Sequence, residues 1–367
     1  MSNVQIGFIG LGLIGGSIAK ALREHMQELY ITAYDINEEA LKTARQEGVI
    51  DMAADAIDGR FSDCDYIFLC APVQKNDVNL TAVKAVMKDS CTLTDVGSVK
   101  SDIHEHVNAL GLADRFIGGH PMAGSERFGY AGSKASLLEN AYYIMTPTLE
   151  TSPGRLEAYR NLVLHTGAIP LVLDYRQHDY VTAAISHLPH VIAASLVNLV
   201  RDSDSEEGIM KMVAAGGFKD ITRIASSSAA MWQQICLTNT GNIISLLSDY
   251  IASLERIREN LAEEDAQELY RLFDSARIYR DSFINTSSGP IKRSYSMNLD
   301  IADRAGALAQ VAVLLADHNI SIKNIGIVHN REHESGVLRI EFYDEPSMES
   351  AKTLLLDKEY VIYEKKL

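Results

Sequence analysis

Cysteine is scarce in this chain of 367 residues. Cys64, Cys70, Cys91 and Cys236 are scattered and form no C-x-x-C pair. That argues against a disulfide framework or a zinc site and fits a reducing cytosol, so the expectation is a cytoplasmic protein with no metal. Positive charge is also in deficit: 34 Lys and Arg stand against 49 Asp and Glu, a formal net charge of -15. Such a balance disfavours nucleic-acid binding, and any site for an anion must be built from a few local cations. Long apolar runs are missing as well. The opening run Val4–Phe8 has no basic segment before it and flows into glycines, unlike a targeting signal. The apolar stretch near Val191–Val200 contains Ser195 and Asn198, and reads as too short and too polar to span a bilayer. No internal repeat or low-complexity tract is present. What remains, 47% hydrophobic and 23% charged residues, is the composition of an ordinary globular protein with room for two or three cores.

Three segments follow. Residues 1–170 alternate short β-branched runs (Val4–Ile9, Tyr30–Tyr34, Tyr66–Cys70, Thr92–Asp95, Phe116–Gly118) with amphipathic stretches such as Ser17–Arg23 and Glu38–Glu47. Alternation of that kind predicts a Rossmann-type, doubly wound parallel sheet of the α/β class. Residues 171–285 carry helical periodicity, clearest over Ile243–Ile257 and Asp265–Ile278, and predict an all-helical domain with apolar faces that pack on a second subunit. A polar hinge, Asn285–Arg293, leads to a βαββαβ pattern over 294–367, a ferredoxin-like unit. Its predicted strands are Tyr295–Ile301, Ser321–Val328, Gly336–Phe342 and Tyr360–Tyr363, with helices Gly306–His318 and Met348–Leu356.

The chemistry starts at Gly10-Leu11-Gly12-Leu13-Ile14-Gly15, after the first strand and at the start of a helix. Glycines there allow a tight turn, close approach of backbone to a pyrophosphate, and close helix–strand packing. The helix N-terminus adds amide donors. Asp35, at the end of the second strand, suits both ribose hydroxyls and would repel a 2′-phosphate. With no arginine directly after it, the cofactor expected is NAD. Gly10, Gly12, Leu13, Ile14, Gly15 and Asp35 are therefore the candidate cofactor residues.

Two clusters follow the strand ends where ligands bind in such sheets. One is Asp95-Val96-Gly97-Ser98-Val99-Lys100. The other is Gly118-Gly119-His120-Pro121-Met122-Ala123-Gly124-Ser125-Glu126, whose His120 is a natural general base for a hydroxyl proton near neutral pH. The helical segment adds Ser186-His187-Leu188-Pro189-His190 and Gly216-Gly217-Phe218-Lys219-Asp220-Ile221-Thr222-Arg223. Arg223 offers a fork for a carboxylate; in the empty protein it could equally pair with Asp220 or Glu126. Lys219 is a further cation with a surface position as the plainer reading, and the single tryptophan, Trp232, reads as a core residue.

Together these motifs resemble the prephenate dehydrogenase family over almost the whole chain. The resemblance implies NAD-dependent oxidative decarboxylation of prephenate to 4-hydroxyphenylpyruvate, on the route to tyrosine. It implies that His120 accepts the ring-hydroxyl proton, that Ser98 orients it, and that Arg223 binds a substrate carboxylate. His190 and Glu126, with Ser125 beside the latter, are placed around the substrate entrance, and His187 is a rival for the place of His190. The tail resembles an ACT domain, which implies pairing of such modules and regulation by an amino acid, tyrosine, at Asp303, Gly306, Ala307, Leu308 and Asn324. The partners expected are thus prephenate, a tyrosine effector and a second copy of the chain. An arogenate or dual-specificity cyclohexadienyl dehydrogenase stays open, since the substrates differ only in a keto versus an amino group. A β-hydroxyacid dehydrogenase would use a lysine base and lack G-G-H-P-M-A-G. A non-catalytic amino-acid sensor would lack the base.

Overall fold

The computed structural model describes residues 3–71, 76–125, 127–285, 295–301, 306–328, 336–358 and 360–363. The chain divides into two compact units, Met1–Glu264 and Asp265–Leu367.

In the first unit, strands β1 (Val4–Ile9), β2 (Leu29–Tyr34), β3 (Met52–Ala54), β4 (Tyr66–Leu69) and β5 (Thr92–Asp95) form a parallel sheet in the order β3-β2-β1-β4-β5. The crossovers are helical: α1 (Leu13–His25), α2 (Glu38–Gln46) and α3 (Asn76–Val86), followed beyond β5 by α4 (Ser101–Ala109). Ile6, Phe8, Ile31 and Ala33 are fully buried, and Phe8 stacks on Phe68 with ring centroids 5.0 Å apart. Burial of each such large side chain contributes about 1.5–3 kcal/mol.

The sheet continues through a parallel bridge, Leu93 to Phe116, into β6 (Ile117–Pro121), β7 (Tyr142–Pro147) and β8 (Ile169–Val172). Here the all-parallel expectation needs a correction, because β7 runs antiparallel to β6. Parallel neighbours need a long crossover, usually helical, and among its described residues the β6–β7 connection contains only the 3-10 turns Tyr130–Gly132 and Ala135–Leu137. The helix α5 (Pro153–Leu164) then provides a crossover, and β8 is parallel to β7.

From there the unit is helical. α6 (Tyr175–Thr182), a π-helical turn (Ala183–His187) and α7 (Leu188–Ser203) follow one another without a break. This continuous helix of 29 residues is, by length and composition alone, sufficient to cross a membrane, so the apolar stretch near Val191–Val200 belongs to a longer element than its sequence suggests. Its N-terminal half is committed to the protein interior through His178, Asp179 and His187, each at most 1% exposed. The helices α8 (Ile209–Val213), α9 (Gly216–Thr222), α10 (Ala229–Thr238) and α11 (Thr240–Ala262) complete the unit. Their apolar side chains are largely exposed, among them Met212, Val213, Leu237, Ile244 and Leu261.

The second unit opens with α12 (Ala266–Asn285). Beyond it, β9 (Tyr295–Ile301), α13 (Ala307–Asp317), β10 (Ile322–Val328), β11 (Gly336–Phe342), α14 (Glu345–Asp357) and β12 (Ile362–Tyr363) give an antiparallel sheet in the order β10-β11-β9-β12. That order is the ferredoxin-like βαββαβ arrangement expected from the sequence. Leu299, Val311, Leu315, Leu338, Ile340, Ala351 and Leu355 form its fully buried core.

Candidate active site

The turn after β1 is shaped by contact. Gly10 has φ +97°, and a Cβ there would lie 2.6 Å from the backbone nitrogen of Ala71, so both conformation and space demand glycine. At Gly12 a Cβ would meet nothing within 4 Å. Among the described residues no protein atom requires glycine at that position, whereas a phosphate resting on the turn would. The N-terminus of α1 carries no side-chain cap and no acidic residue in its first turn, so Leu13 and Ile14 open a helix end suited to an anion. Asp35 is fixed at the end of β2. One carboxylate oxygen accepts from the Leu11 amide and the other accepts from the Asn37 amide at 2.8 Å. Beside it opens a cavity of about 760 Å³ lined by Asp35, Ile36, Leu41, Lys42, Arg45 and Ala54, among others. Turn, helix end and carboxylate fit a dinucleotide.

His120 sits on β6, where two glycines precede it for steric reasons. A Cβ on Gly119 would lie 2.6 Å from the Asp95 carbonyl oxygen, so β6 can press against the end of β5 only with glycine there. Beneath the strand, Lys100 is fully buried and paired with Asp95, and its ammonium donates to the Gly119 carbonyl at 2.8 Å. Asp95 in turn accepts from the amides of Gly97 at 2.9 Å and Gly119 at 3.2 Å.

The imidazole of His120 meets His178, with Nδ1 of the first 2.7 Å from Nε2 of the second. His178 Nδ1 lies 2.8 Å from a carboxylate oxygen of Asp179. Asp179 also accepts from the amides of Lys100 at 2.7 Å and Ser101 at 2.8 Å, which caps α4. Burial raises the Asp179 pKa, but the hydrogen bonds from His178, Ser101 and Lys100 outweigh it and hold the carboxyl below its ordinary value. Burial, helped by the Lys100 cation, holds the His120 imidazole well below its usual pKa, so this ring is neutral near pH 7. Burial likewise lowers His178, against the pull of Asp179. His187 is pushed down to about 4 by burial.

Of the other expected site residues, Ser98 is half-buried on the turn after β5, and the hydrogen bond at His120 Nδ1 is made by His178. His187, at the end of the π-helical turn, is buried against Asn239, whose amide nitrogen lies 3.1 Å from its Nδ1. His190 is partly buried. It stacks on Trp232 at 3.6 Å between centroids, and the Arg223 cation helps lower its pKa after burial itself. Trp232 is thus a wall beside His190 and Arg223 rather than a core residue, and its ring nitrogen is buried with no partner among the described residues. Ser125 and Lys219 are exposed. Glu126 and Asp303 lie outside the described residues. In the second unit Gly306 adopts φ +87° at the start of α13, Ala307 is buried, and Leu308 and Asn324 are exposed.

His178 and Asp179 were not singled out in the sequence. The signal available was a His-Asp pair two helical turns before S-H-L-P-H, on the same long helix.

Fold and site together define an NAD-dependent oxidoreductase of the α/β class with an imidazole at the strand ends. Within that class the comparisons are specific. Residues 18–171 match the family model described as prephenate dehydrogenase, nucleotide-binding domain, and residues 174–275 match the one described as its dimerization domain. The prephenate dehydrogenase of Bacillus subtilis is 38% identical over 94% of this chain and 93% of its own length. A solved structure of the enzyme from A. aeolicus, in complex with hydroxyphenyl propionate and NAD+, is 33% identical with a TM-score of 0.73, covering 77% of this chain and 99% of that one. A Synechocystis arogenate dehydrogenase structure is 28% identical with a TM-score of 0.70, covering 76% and 100% respectively. The chain belongs to the prephenate dehydrogenase family.

Proposed function

We propose that this protein oxidises prephenate with NAD and decarboxylates it to 4-hydroxyphenylpyruvate. The observation that carries the reading is His120, a half-buried neutral imidazole at the carboxyl end of the sheet with Asp95, Lys100 and His178 fixing its surroundings. In this reading Gly10, Gly12, Leu13, Ile14, Gly15 and Asp35 hold the dinucleotide. Bound NAD supplies the hydride acceptor, and loss of the ring carboxylate as carbon dioxide completes an aromatic ring. His120 takes the ring-hydroxyl proton, with Ser98 as a neighbour of that hydroxyl. Arg223 clamps a carboxylate, and His190, His187, Glu126, Ser125 and Lys219 surround the substrate. Alignment of base, anion clamp and cofactor is the protein's main task, since aromatisation drives the chemistry.

Two further assignments accompany this reading. The exposed apolar faces of α8–α11 are covered by a second copy of the chain, consistent with a family model described as a dimerization domain. The βαββαβ unit acts as an ACT-type regulatory module that binds tyrosine at Asp303, Gly306, Ala307, Leu308 and Asn324. Its strand order and the left-handed Gly306 at the start of α13 support the module. The location in this reading is cytoplasmic, in keeping with four free cysteines.

The test is NADH formation with prephenate and arogenate offered separately, with and without tyrosine. Turnover of prephenate that vanishes in His120→Asn supports the assignment, and suppression by tyrosine supports the module. Turnover of arogenate alone keeps the mechanism and changes the substrate. Silence with both substrates, despite NAD binding, overturns the reading.

A further inference from the structure

We propose that His178 and Asp179 form a positioning relay that fixes the tautomer of His120 and leaves its Nε2 lone pair for the substrate hydroxyl. This rests on the reading of His120 as the base.

Asp179 accepts from two backbone amides as well as from His178. A carboxylate so supplied is ionised and only accepts, so His178 Nδ1 must carry a hydrogen. A neutral His178 then presents a bare Nε2, which can only accept. His120 Nδ1, 2.7 Å away, must therefore be the donor. With its one hydrogen on Nδ1, neutral His120 has its lone pair on Nε2, the form a base requires. Burial of both rings disfavours a cationic His178, which would reverse the chain and put the hydrogen on His120 Nε2. During reaction one proton moves from the substrate hydroxyl to Nε2. The resulting imidazolium keeps its Nδ1–H donated to His178 and no other bond changes within the relay.

The relay is held from three directions. Asp179 caps α4 through Lys100 and Ser101. Its carbonyl accepts from the Asn239 side chain at 2.8 Å, which ties it to α11. Lys100 fixes the residue before His120 through the Gly119 carbonyl. A buried histidine placed only for packing would need one backbone partner, yet both ring nitrogens of His178 are spent on side chains.

The experiment compares His178→Leu with His178→Gln. The glutamine amide oxygen can still accept from His120 Nδ1, and leucine cannot. The expected result for leucine is a fall in kcat of about 100-fold with KM for substrate and NAD nearly unchanged. Glutamine should recover most of that loss. Because His178 accepts from the protonated base, its loss should also move the acid limb of the kcat profile to lower pH. The groups facing the pair are Asp95 and Lys100 at the end of β5 and the start of α4, and Asp179 and His187 from the long helix, and all remain in both variants. Equal losses in the two variants, a loss confined to KM, or no loss would each overturn the proposal. A measurement on the unaltered protein stands apart from folding of the variants and from turnover. Nitrogen-15 NMR of labelled histidine should show His120 as the Nδ1–H tautomer, and an Nε2–H tautomer would overturn the relay even if prephenate proves the wrong substrate.

Discussion

Lys100 and Asp95 form a completely buried ion pair one strand below His120. Burial pushes the Lys100 pKa down and Asp95 pushes it back up. The pair joins the end of β5 to the start of α4, and the same ammonium holds the Gly119 carbonyl. Desolvating two charges is costly, so such a pair is weak support for stability as a whole. Breaking one side of it is another matter.

Lys100→Met should therefore lose about 3–5 kcal/mol in urea unfolding, with kcat falling as β6 loosens around His120. Lys100→Met combined with Asp95→Asn should recover part of the stability. The Gly97 and Gly119 amides bond different oxygens of Asp95, so the single asparagine oxygen keeps one of them, but no unpaired charge remains. A double variant less stable than the single one would contradict this account.

Acid should weaken the fold through histidines that are buried neutral. His104 and His187 are both pushed down to about 4 by burial, from an ordinary value of 6.5. Between those limits the unfolded chain binds more protons than the folded one, so stability rises with pH there. It is complete above about 6.5 and drains away as pH falls toward 4. Urea unfolding at pH 7 and pH 5 measures the slope. His104→Leu, which cannot protonate, should show a shallower slope than the unaltered protein. An unchanged slope would remove His104 from the explanation.

The sequence made the local features legible and the long-range ones not. The glycine turn, Asp35 and His120 stand in short motifs whose geometry is nearly self-contained, and the βαββαβ tail follows from periodicity. His178 is 58 positions from His120, in a Tyr-Arg-Gln-His-Asp-Tyr run that reads as an exposed helix start. Only the packing of the long helix against the start of α4 buries it. Lys100 belongs to a motif noted in the sequence, but a fully buried lysine is too rare to infer without seeing its partner. Strand direction at β7 was hidden because it depends on a connection that lacks a helix.

Oligomerisation is tested on α11, where Ile244, Ile251, Leu254 and Leu261 are all exposed in the single chain. A charge placed in a subunit interface is desolvated without a partner. Ile251→Asp with Leu254→Asp should yield a monomer by size-exclusion chromatography with light scattering, while the β1–β5 sheet keeps NAD affinity. A dimer of unchanged strength would place the interface elsewhere.

The two glycines of the first turn should fail in different ways. At Gly10 an added Cβ collides with backbone of Ala71 and must adopt φ +97°, so Gly10→Ala should lower the melting temperature and NAD affinity together. At Gly12 the added methyl meets no protein atom within 4 Å. Gly12→Ala should then melt like the unaltered protein, or slightly higher, because alanine restricts the unfolded chain more than glycine does. Its NAD affinity should nonetheless fall about tenfold or more, a cost of at least 1.4 kcal/mol, since the space is the approach to the pyrophosphate. Thermal melts and NAD titration on the two variants separate the cases. If Gly12→Ala bound NAD normally, the phosphates would have to rest elsewhere on the turn, and the helix end at Leu13 and Ile14 would lose its assigned role.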